Sequence, residues 1–186
     1  MINRNGDGDN LCRIYNTATA NGKNNLHIIQ ASKCCSLVNI INRCPPGRYR
    51  HAIICLTAAE AFAGRLTAPD VEVIELHKRQ GHDPAVYLRL WRALRRLHPA
   101  IVHTRNLAAL ETQVLGLLLT GCKRVHGEHG RDVSDLDGSN RKYQWLRRLL
   151  SPLIHRYIAV SQDLARWLVG TVGIAPGKVT QIYNGV

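Results

Sequence analysis

Acidic residues and long apolar runs are scarce in this sequence. Asp and Glu number 13 against 25 Lys and Arg, which gives the 186-residue chain a formal net charge of +12. Such an excess favours anionic partners: nucleic acid, phosphorylated substrates or the acidic face of a membrane. No apolar run approaches the ~18 residues of a membrane-spanning helix, and the asparagine-rich first 25 residues lack the apolar core of a signal peptide. We therefore expect a cytoplasmic protein.

Motifs for several kinds of chemistry are missing as well. The first predicted strand is followed by Gln-Ala-Ser-Lys, without the glycines of a dinucleotide-binding fingerprint, and the chain has no P-loop. No Ser or Cys lies in a nucleophile elbow, so nucleophilic hydrolysis has no support. The six cysteines include no Cys-x-x-Cys pair, and several lie in apolar runs. Buried free thiols in a reducing compartment are therefore expected, rather than a disulfide framework.

The sequence contains no complete metal-binding motif. His126-x-Glu128 matches the first half of a zinc deaminase signature, but no cysteine follows Cys122 to complete it. His126, His129 and Asp132 remain an alternative set of metal ligands. The prediction is that the protein uses no metal and no organic cofactor.

What the chain does contain is a regular alternation of strand and helix patterns. Strands are predicted at residues 26–29, 52–56, 71–76, 100–103, 123–126, 157–160 and 178–183. Helices are predicted at residues 35–41 and 58–66, from Asp83 to Pro99, from Asn106 to Gly121, at 141–155, and from Ser161 to near Gly173. Short connections between such units predict a Rossmann-like, doubly wound α/β domain over residues 26–186, with a mostly parallel sheet and helices on both faces. Residues 1–25 are predicted to be a poorly ordered leader.

Three helices begin with residues that favour an N-terminus. Asp83 precedes Pro84, which suits the cap and first position of a helix. Asn106 is the predicted cap of the helix that follows the fourth strand, and Ser161, with Asp163 in the first turn, is the predicted cap of the last helix. The strand at 71–76 alternates apolar and acidic residues, which is typical of a sheet edge.

Polar residues follow four of the predicted strands. They are His103, Arg105 and Asn106 after one strand, Glu128, His129, Gly130, Arg131 and Asp132 after the next, then Ser161, and finally Asn184 and Gly185. In open parallel sheets, ligands bind beyond the carboxyl ends of the strands. Helix N-termini at the same rim add free N–H groups that suit phosphates or sugar hydroxyls. The four groups are therefore predicted to converge on one binding site.

Two helices carry clusters of basic residues. Arg89, Arg92 and Arg96 are interpreted as a solvated helix face. In the helix around residues 143–150, core packing of Trp145 is the favoured interpretation, and contact of this basic, aromatic segment with an anionic membrane is the alternative. No nucleic-acid-binding module is recognisable, so no nucleic-acid partner is expected. A basic Rossmann-like module that binds RNA without catalysis stays open as a second function.

Four segments of the second half resemble the N-terminal, acceptor-side domain of a family 4 retaining glycosyltransferase with the GT-B fold. They are Ala-Ile-Val-His at 100–103 with Arg105 and Asn106, Val-His-Gly-Glu-His-Gly at 125–130, Tyr-Ile-Ala-Val-Ser at 157–161, and Lys-Val-Thr-Gln-Ile-Tyr-Asn-Gly-Val at 178–186. From about Asn39 onward the chain is also similar to sugar transferases of bacterial exopolysaccharide gene clusters.

The resemblance implies roles for particular residues. His129 matches the family's catalytic histidine, close to the donor sugar, and Glu128, Gly130, Arg131 and Asp132 become pocket candidates. His103, Arg105 and Asn106 match the strand end that faces the acceptor. Ser161 ends another matching strand, and Asn184 with Gly185 matches the loop that enters the interdomain hinge. The implied partners are a nucleotide-sugar donor and a lipid-linked or glycan acceptor, with transfer that retains the anomeric configuration.

The sequence departs from the family pattern in two places. The glycine-rich loop that usually follows the first strand is replaced by Ala-Ser-Lys-Cys-Cys at 31–35, so residues 1–35 are not expected to be the family's usual start. The family's second domain, which binds the nucleotide sugar, is not expected in this chain, whose last residue, Val186, falls where that domain would begin. We therefore expect the chain to be inactive by itself, as half of a glycosyltransferase or as a degenerate gene fragment.

Overall fold

Seven parallel strands form one sheet in the computed structural model, which describes residues 25–30, 35–44, 49–59, 63–131 and 135–183, with backbone alone at 25–30, 35–37 and 40. The strands are β1 (Asn25–Gln30), β2 (Arg50–Cys55), β3 (Glu72–Glu75), β4 (Ile101–Arg105), β5 (Lys123–Glu128), β6 (Arg156–Ala159) and β7 (Val179–Gln181). Their order is β3-β2-β1-β4-β5-β6-β7, and every neighbouring pair is parallel. The predicted Rossmann-like α/β fold is confirmed.

The helices connect these strands across both faces of the sheet. They are α1 (Cys35–Arg43), α2 (Ala85–Leu97), α3 (Leu107–Leu110), α4 (Gln113–Gly116), α5 (Arg141–Leu150) and α6 (Gln162–Trp167). Short 3-10 segments occupy Ala63–Arg65, Ser151–Leu153 and Pro176–Lys178, and a π-helical turn, Leu168–Val172, continues α6. None of the described helices is long and apolar enough to cross a membrane.

The order of the strands assigns each helix to a face. The chain moves from β1 outward to β2 and β3, then returns to β4 and continues to β7 in the opposite direction. Because such crossovers are right-handed, α1 covers one face, and α2 to α6 form a layer on the other. We call these the α1 face and the α2 face. The direction changes between β1 and β4, and ligands of such folds bind at this point, beyond the carboxyl ends of the strands.

Each face has its own apolar core. On the α1 face, Ile41 of α1 packs with alternate residues of four strands and of the segments before β2 and after β7: Tyr49, Ile53, Cys55, Ile101, Val125, Ile158 and Ile182. On the α2 face, Leu90 and Leu94 of α2 pack with the neighbouring strand residues Ile54 and Val102. A third cluster joins α3, α5 and α6 to Tyr157 and Ala159 of β6. Cys55 and Cys122 are buried free thiols, as expected.

The prediction of a helix at residues 58–66 is wrong for the described part of this segment, which contains a 3-10 turn instead. The helix predicted from Asn106 to Gly121 divides into α3 and α4. Its break falls at Thr112, whose hydroxyl donates to the carbonyl oxygen of Ala109 at 2.6 Å, a local bond that competes with regular helix. The helix at 141–155 ends at Leu150 and continues as a 3-10 turn through Pro152.

One of the three predicted helix caps is wrong. The carboxylate of Asp83 accepts from the backbone N–H of Arg79 at 3.0 Å and from the guanidinium of Arg89 at 2.7 Å, so it orders the preceding loop and does not cap α2. Asn106 is the N-cap residue of α3, as predicted, although its side chain makes no cap bond. Ser161 is confirmed, since its hydroxyl oxygen accepts from the N–H of Leu164 at 3.1 Å. The edge position of β3 is confirmed as well.

The buried side of α2 should carry most of its contribution to stability. We expect Leu90→Ala, at a fully buried position, to lower the free energy of unfolding by roughly 2–5 kcal/mol, because it leaves a cavity against the sheet. Leu88→Ala is the matched control on the same helix, since Leu88 is 49% exposed, and it should cost less than about 1 kcal/mol. Urea denaturation followed by circular dichroism measures both, and equal losses would contradict this packing.

Candidate functional site

The carboxyl rim of the sheet brings the ends of β4, β5 and β6 together. β4 and β5 each extend two residues beyond their predicted ends, so His103 and Arg105 lie within β4 and Glu128 is the last residue of β5. His129 and Ser161 follow β5 and β6, respectively. These residues therefore lie at one rim of the sheet, and their convergence on one binding site stays a prediction. Asp132, Asn184 and Gly185 lie outside the described residues, as does most of the segment predicted to replace the family's glycine-rich loop.

A histidine–arginine cluster lies on the α1 face of this rim, made of His103, Arg105 and His129. The guanidinium of Arg105 approaches both ring nitrogens of His129, with Nε at 2.9 Å from Nε2 and Nη2 at 2.6 Å from Nδ1. His103 and Arg105 are buried, and His129 is half-buried. A guanidinium is a donor alone, so the nitrogen of His129 that accepts from Arg105 Nε must offer a lone pair.

Gly127 provides the space that this cluster occupies. A Cβ atom at this position would lie 2.8 Å from Nε2 of His129 and 2.9 Å from Nε2 of His103. Separations that short do not occur between real Cβ atoms and their neighbours, so any side chain here would displace both rings. The missing side chain in β5 therefore lets His129 fold back over the strand end.

Asn106 connects the ends of β4 and β5. Its N–H donates to the carbonyl oxygen of Gly127 at 2.9 Å, and its Oδ1 accepts from the N–H of His129 at 3.1 Å. Its backbone has φ 59° and ψ 165°, a region that is costly for any residue other than glycine. This strain is confined to the loop that positions His129, which is common in binding sites.

Electrostatics keep His103 uncharged. Burial lowers its pKa well below the usual range, and the nearby charge of Arg105 and the rings of His129 and His126 lower it further. The cluster therefore combines one permanent cation with an uncharged His103 and the ring of His129, an arrangement that can accept hydrogen bonds from hydroxyl groups and donate to anionic oxygens.

Glu128 points away from this cluster. Strand alternation turns it to the α2 face, where it is fully buried and its Oε1 accepts from Nε of Arg147 at 2.7 Å. Nη2 of Arg147 donates to Oε2 at 3.3 Å, and Nε2 of His126 lies 3.3 Å from Oε1. Burial alone would raise the pKa of Glu128, but His126 and Arg147 outweigh it and lower the value to about 2. The side chain is thus an ionised partner of α5.

The ion pair is one end of a buried polar chain that crosses the α2 face. His126 Nδ1 lies 2.7 Å from Oγ1 of Thr104, and Nε2 of Gln113 donates to the same oxygen at 2.7 Å. Gln113 also donates to the carbonyl oxygen of Val125 at 2.7 Å. The chain therefore connects α4 and α5 through the two strands that carry the histidine–arginine cluster on their other face.

Arg131 occupies a separate position at the rim. Its Nη2 donates to Oδ2 of Asp163 at 2.8 Å, and its guanidinium lies 5.8 Å from the ring centre of Trp167. Trp167 donates to the carbonyl oxygen of Gly138 at 3.2 Å, which attaches the loop before α5 to α6. Arg131 therefore orders this loop, beside rather than within the histidine–arginine cluster.

The remaining predicted site residues have local backbone roles. Ser161 caps α6, and Gly130 has a φ of 149°, with open space where a side chain would extend. The roles of all these residues toward a substrate stay predictions. As for the alternative metal site, His126 and His129 lie on opposite faces of the sheet, and within the described part of the chain no three metal-ligating side chains group together.

Several residues of the site had not been predicted. Arg147 had a signal in the sequence, because it falls on the apolar stripe with Tyr143, Leu146 and Leu150, where an arginine needs a buried partner. Gln113 and Gly127 had none, since their importance depends on contacts with another strand. The favoured core packing of Trp145 is wrong: it is 63% exposed, and Arg147 occupies the inner side of α5 instead.

The fold and its polar rim define a Rossmann-like, parallel α/β domain. Among solved structures, HepE of Anabaena in complex with UDP and glucose superposes with a TM-score of 0.65 at 13% identity, covering 87% of this chain and 44% of that one. A glycosyltransferase from Rickettsia africae superposes with a TM-score of 0.58 at 16% identity, covering 88% of this chain and 43% of that one. UDP-N-acetylglucosamine 2-epimerase from Rickettsia bellii superposes with a TM-score of 0.58 at 11% identity, covering 86% of this chain and 44% of that one.

At these identities the likeness concerns the fold alone, and the chain spans less than half the length of each of these proteins. The sequence itself matches the family described as Glycosyltransferase Family 4 over residues 36–186. The chain belongs to this family and has the fold of the N-terminal half of a GT-B glycosyltransferase. A search of the curated proteins finds no match.

Gly127→Ala should displace the rings of His103 and His129, because its Cβ would overlap both. We expect a loss of about 1–3 kcal/mol in unfolding free energy and altered imidazole nitrogen shifts of the two histidines in NMR spectra. Gly170→Ala is the control, since nothing lies within 4 Å of the added Cβ. Unchanged histidine signals in Gly127→Ala would show that the rings do not pack on this glycine.

Arg147→Met should destabilise the protein by roughly 3–5 kcal/mol, because it leaves the buried carboxylate of Glu128 with no guanidinium partner. Arg148→Met changes the neighbouring, exposed arginine and should cost less than about 1 kcal/mol. Thermal and urea unfolding of both variants compare the two. Similar losses would argue against a buried ion pair.

The same pair predicts how stability depends on pH. The pKa of Glu128 is depressed to about 2 from an ordinary 4.5, so the ionised carboxylate contributes its full stability above pH 4.5 and loses it as pH falls toward 2. Glu128→Gln should therefore flatten the acid limb of a stability–pH profile. An acid limb as steep as that of the wild type would refute the assignment.

Proposed function

We propose that the chain is the acceptor-side half of a glycosyltransferase that moves a sugar from a nucleotide-sugar donor to a lipid-linked or glycan acceptor, with retention. The observation that carries this proposal is the histidine–arginine cluster packed over Gly127 at the rim of a family 4 domain. By the sequence resemblance, the proposed process is exopolysaccharide synthesis at the cytoplasmic side of the membrane.

Within this proposal His129 is the catalytic residue. An imidazole fixed by Arg105 and by the Asn106 loop can hydrogen-bond a hydroxyl of the donor sugar and hold it near the acceptor. Arg105 brings a permanent positive charge to the same place, which would stabilise phosphate oxygens of the acceptor. Both need a pocket closed to water, which two facing halves of a transferase provide.

The solved neighbours support a sugar nucleotide as the donor. HepE has been crystallised with UDP, with UDP and glucose, and with UDP-glucose, and a neighbouring Neisseria epimerase with UDP-GlcNAc. Since this chain spans less than half of each of these proteins, most donor contacts are proposed to come from a second half. A lipid-linked acceptor fits the predicted peripheral contact with an anionic membrane.

Arg131, Gly130 and Ser161 form the flank of the proposed pocket. Arg131 already pairs with the exposed Asp163, a contact that water screens and that an acceptor phosphate could displace. Glu128 is proposed to act through its ion pair and not by touching substrate, because it is fully buried on the other face. Asp132, Asn184 and Gly185 keep their proposed places in the cleft and at the hinge.

The test combines turnover with binding. The purified chain should release no nucleoside diphosphate from nucleotide sugars, yet a short-chain lipid diphosphate sugar should shift the NMR signals of His129 and Arg105. His129→Ala should weaken that binding by up to about tenfold, because it removes one hydrogen bond and the partner that positions Arg105. His82→Ala, at an exposed histidine, is the control.

Turnover by the chain alone would contradict the assignment to half of an enzyme. Salt-dependent binding of random-sequence RNA that His129→Ala leaves unchanged would instead favour the basic RNA-binding module.

A further inference from the structure

Six large apolar side chains are exposed on three neighbouring helices of the α2 face. They are 44–63% exposed and belong to α2, to α4 with its following turn, and to α5: Leu88, Val114, Leu117, Leu118, Trp145 and Leu149. We call the outer sides of these three helices the apolar–basic surface. Single exposed leucines are ordinary, but a concentration of them on one layer marks an interaction surface.

The three helices form one continuous layer. Each connects two strands in the direction from β3 to β6, so right-handed crossovers place all of them on the same side of the sheet. Trp91 and Arg95 of α2 line a cavity of about 320 Å³ together with Leu118 and Leu119 at the end of α4. α3, which directly precedes α4, contacts α5. The exposed side chains therefore share one surface.

The charge on this surface is predominantly positive. α2 and α5 contain no acidic residue, and the flanking Arg89 and Arg96 are paired with Asp83 and Glu72. The remaining exposed cations make no ion pair among the described residues; they are Arg92, Arg95, Arg141, Lys142 and Arg148. Glu111 on α3's C-terminal side accepts a hydrogen bond from Tyr87. An anionic partner is thus favoured over the whole surface.

We propose that the apolar–basic surface docks on an anionic lipid bilayer. Tryptophan and leucine side chains interspersed with arginine on a helical surface suit the headgroup region, where apolar groups insert and cations meet lipid phosphates. A nucleic acid would use the arginines but would not need the exposed leucines.

Docking through this surface also determines where the carboxyl rim lies relative to the bilayer. α2, α3 and α5 begin at the carboxyl rim, so a protein lying on their outer sides keeps this rim next to the bilayer, with the histidine–arginine cluster on the far, α1 face of the sheet. A lipid-linked acceptor whose lipid stays in the membrane would reach the cluster by passing around the rim. This last step rests on the proposed function, whereas vesicle binding itself does not.

The test is binding of the full chain to vesicles of phosphatidylcholine with phosphatidylglycerol, compared with phosphatidylcholine alone, by co-sedimentation. The wild type should bind the anionic vesicles, and its tryptophan fluorescence should shift to the blue as Trp91 and Trp145 leave water; Trp167 is already buried. The triple variant Leu118→Gln, Trp145→Gln, Leu149→Gln should bind at least tenfold more weakly. Arg95→Gln with Arg148→Gln should lose roughly fivefold per charge.

Matched controls lie elsewhere on the protein. Leu136→Gln changes a leucine that is 74% exposed in the loop before α5, and Arg50→Gln changes an exposed arginine at the start of β2. Neither should alter vesicle binding, and circular dichroism checks that every variant is folded.

The proposal is overturned if the wild type does not bind anionic vesicles, or if Leu136→Gln weakens vesicle binding as much as the triple variant does. It is also overturned if random-sequence RNA binds with the same dependence on Arg95 and Arg148 and vesicles do not. Absence of sugar transfer leaves it intact, because binding to vesicles needs no donor.

Discussion

Strand alternation at the end of β5 is the constraint from which the rest of the site follows. Consecutive residues of a strand face opposite sides of the sheet, so Gly127 faces α1 while Glu128 faces α5. His129, just beyond the strand, folds back over Gly127. Two neighbouring residues of one short motif thus do different work, one in the candidate pocket and one in the core.

The buried polar chain gives this arrangement its rigidity. Glu128 and Arg147 fix α5 against β5, and Gln113 and Thr104 fix α4 against β4 and β5. A buried carboxylate without its guanidinium would be strongly destabilising, so these helices cannot shift independently of the strands. The rim where His103, Arg105 and His129 meet therefore rests on a support that lies entirely on the other face, away from any substrate.

The two faces of the molecule also differ in what they offer to partners. The α1 face of the rim presents two imidazoles and one arginine, held in place by contacts at 2.6–3.1 Å. The outer side of the α2 face presents exposed arginine and leucine side chains with tryptophan. The first suits recognition of one ligand in one orientation, and the second suits a fluid, extended surface. A family 4 domain that handles a lipid-linked acceptor would use both.

The amino-acid sequence by itself determined the alternation of strands and helices, the parallel Rossmann-like sheet, the rim on which the polar residues meet and the family, because each depends on local periodicity or on motifs that follow strand ends. Tertiary structure alone decided that Glu128 pairs with Arg147, that the Asn106 side chain holds His129 and makes no cap bond to α3, and that Trp145 faces outward. Those outcomes depend on which residue of a distant strand or helix contacts each side chain, and local sequence patterns do not identify that partner.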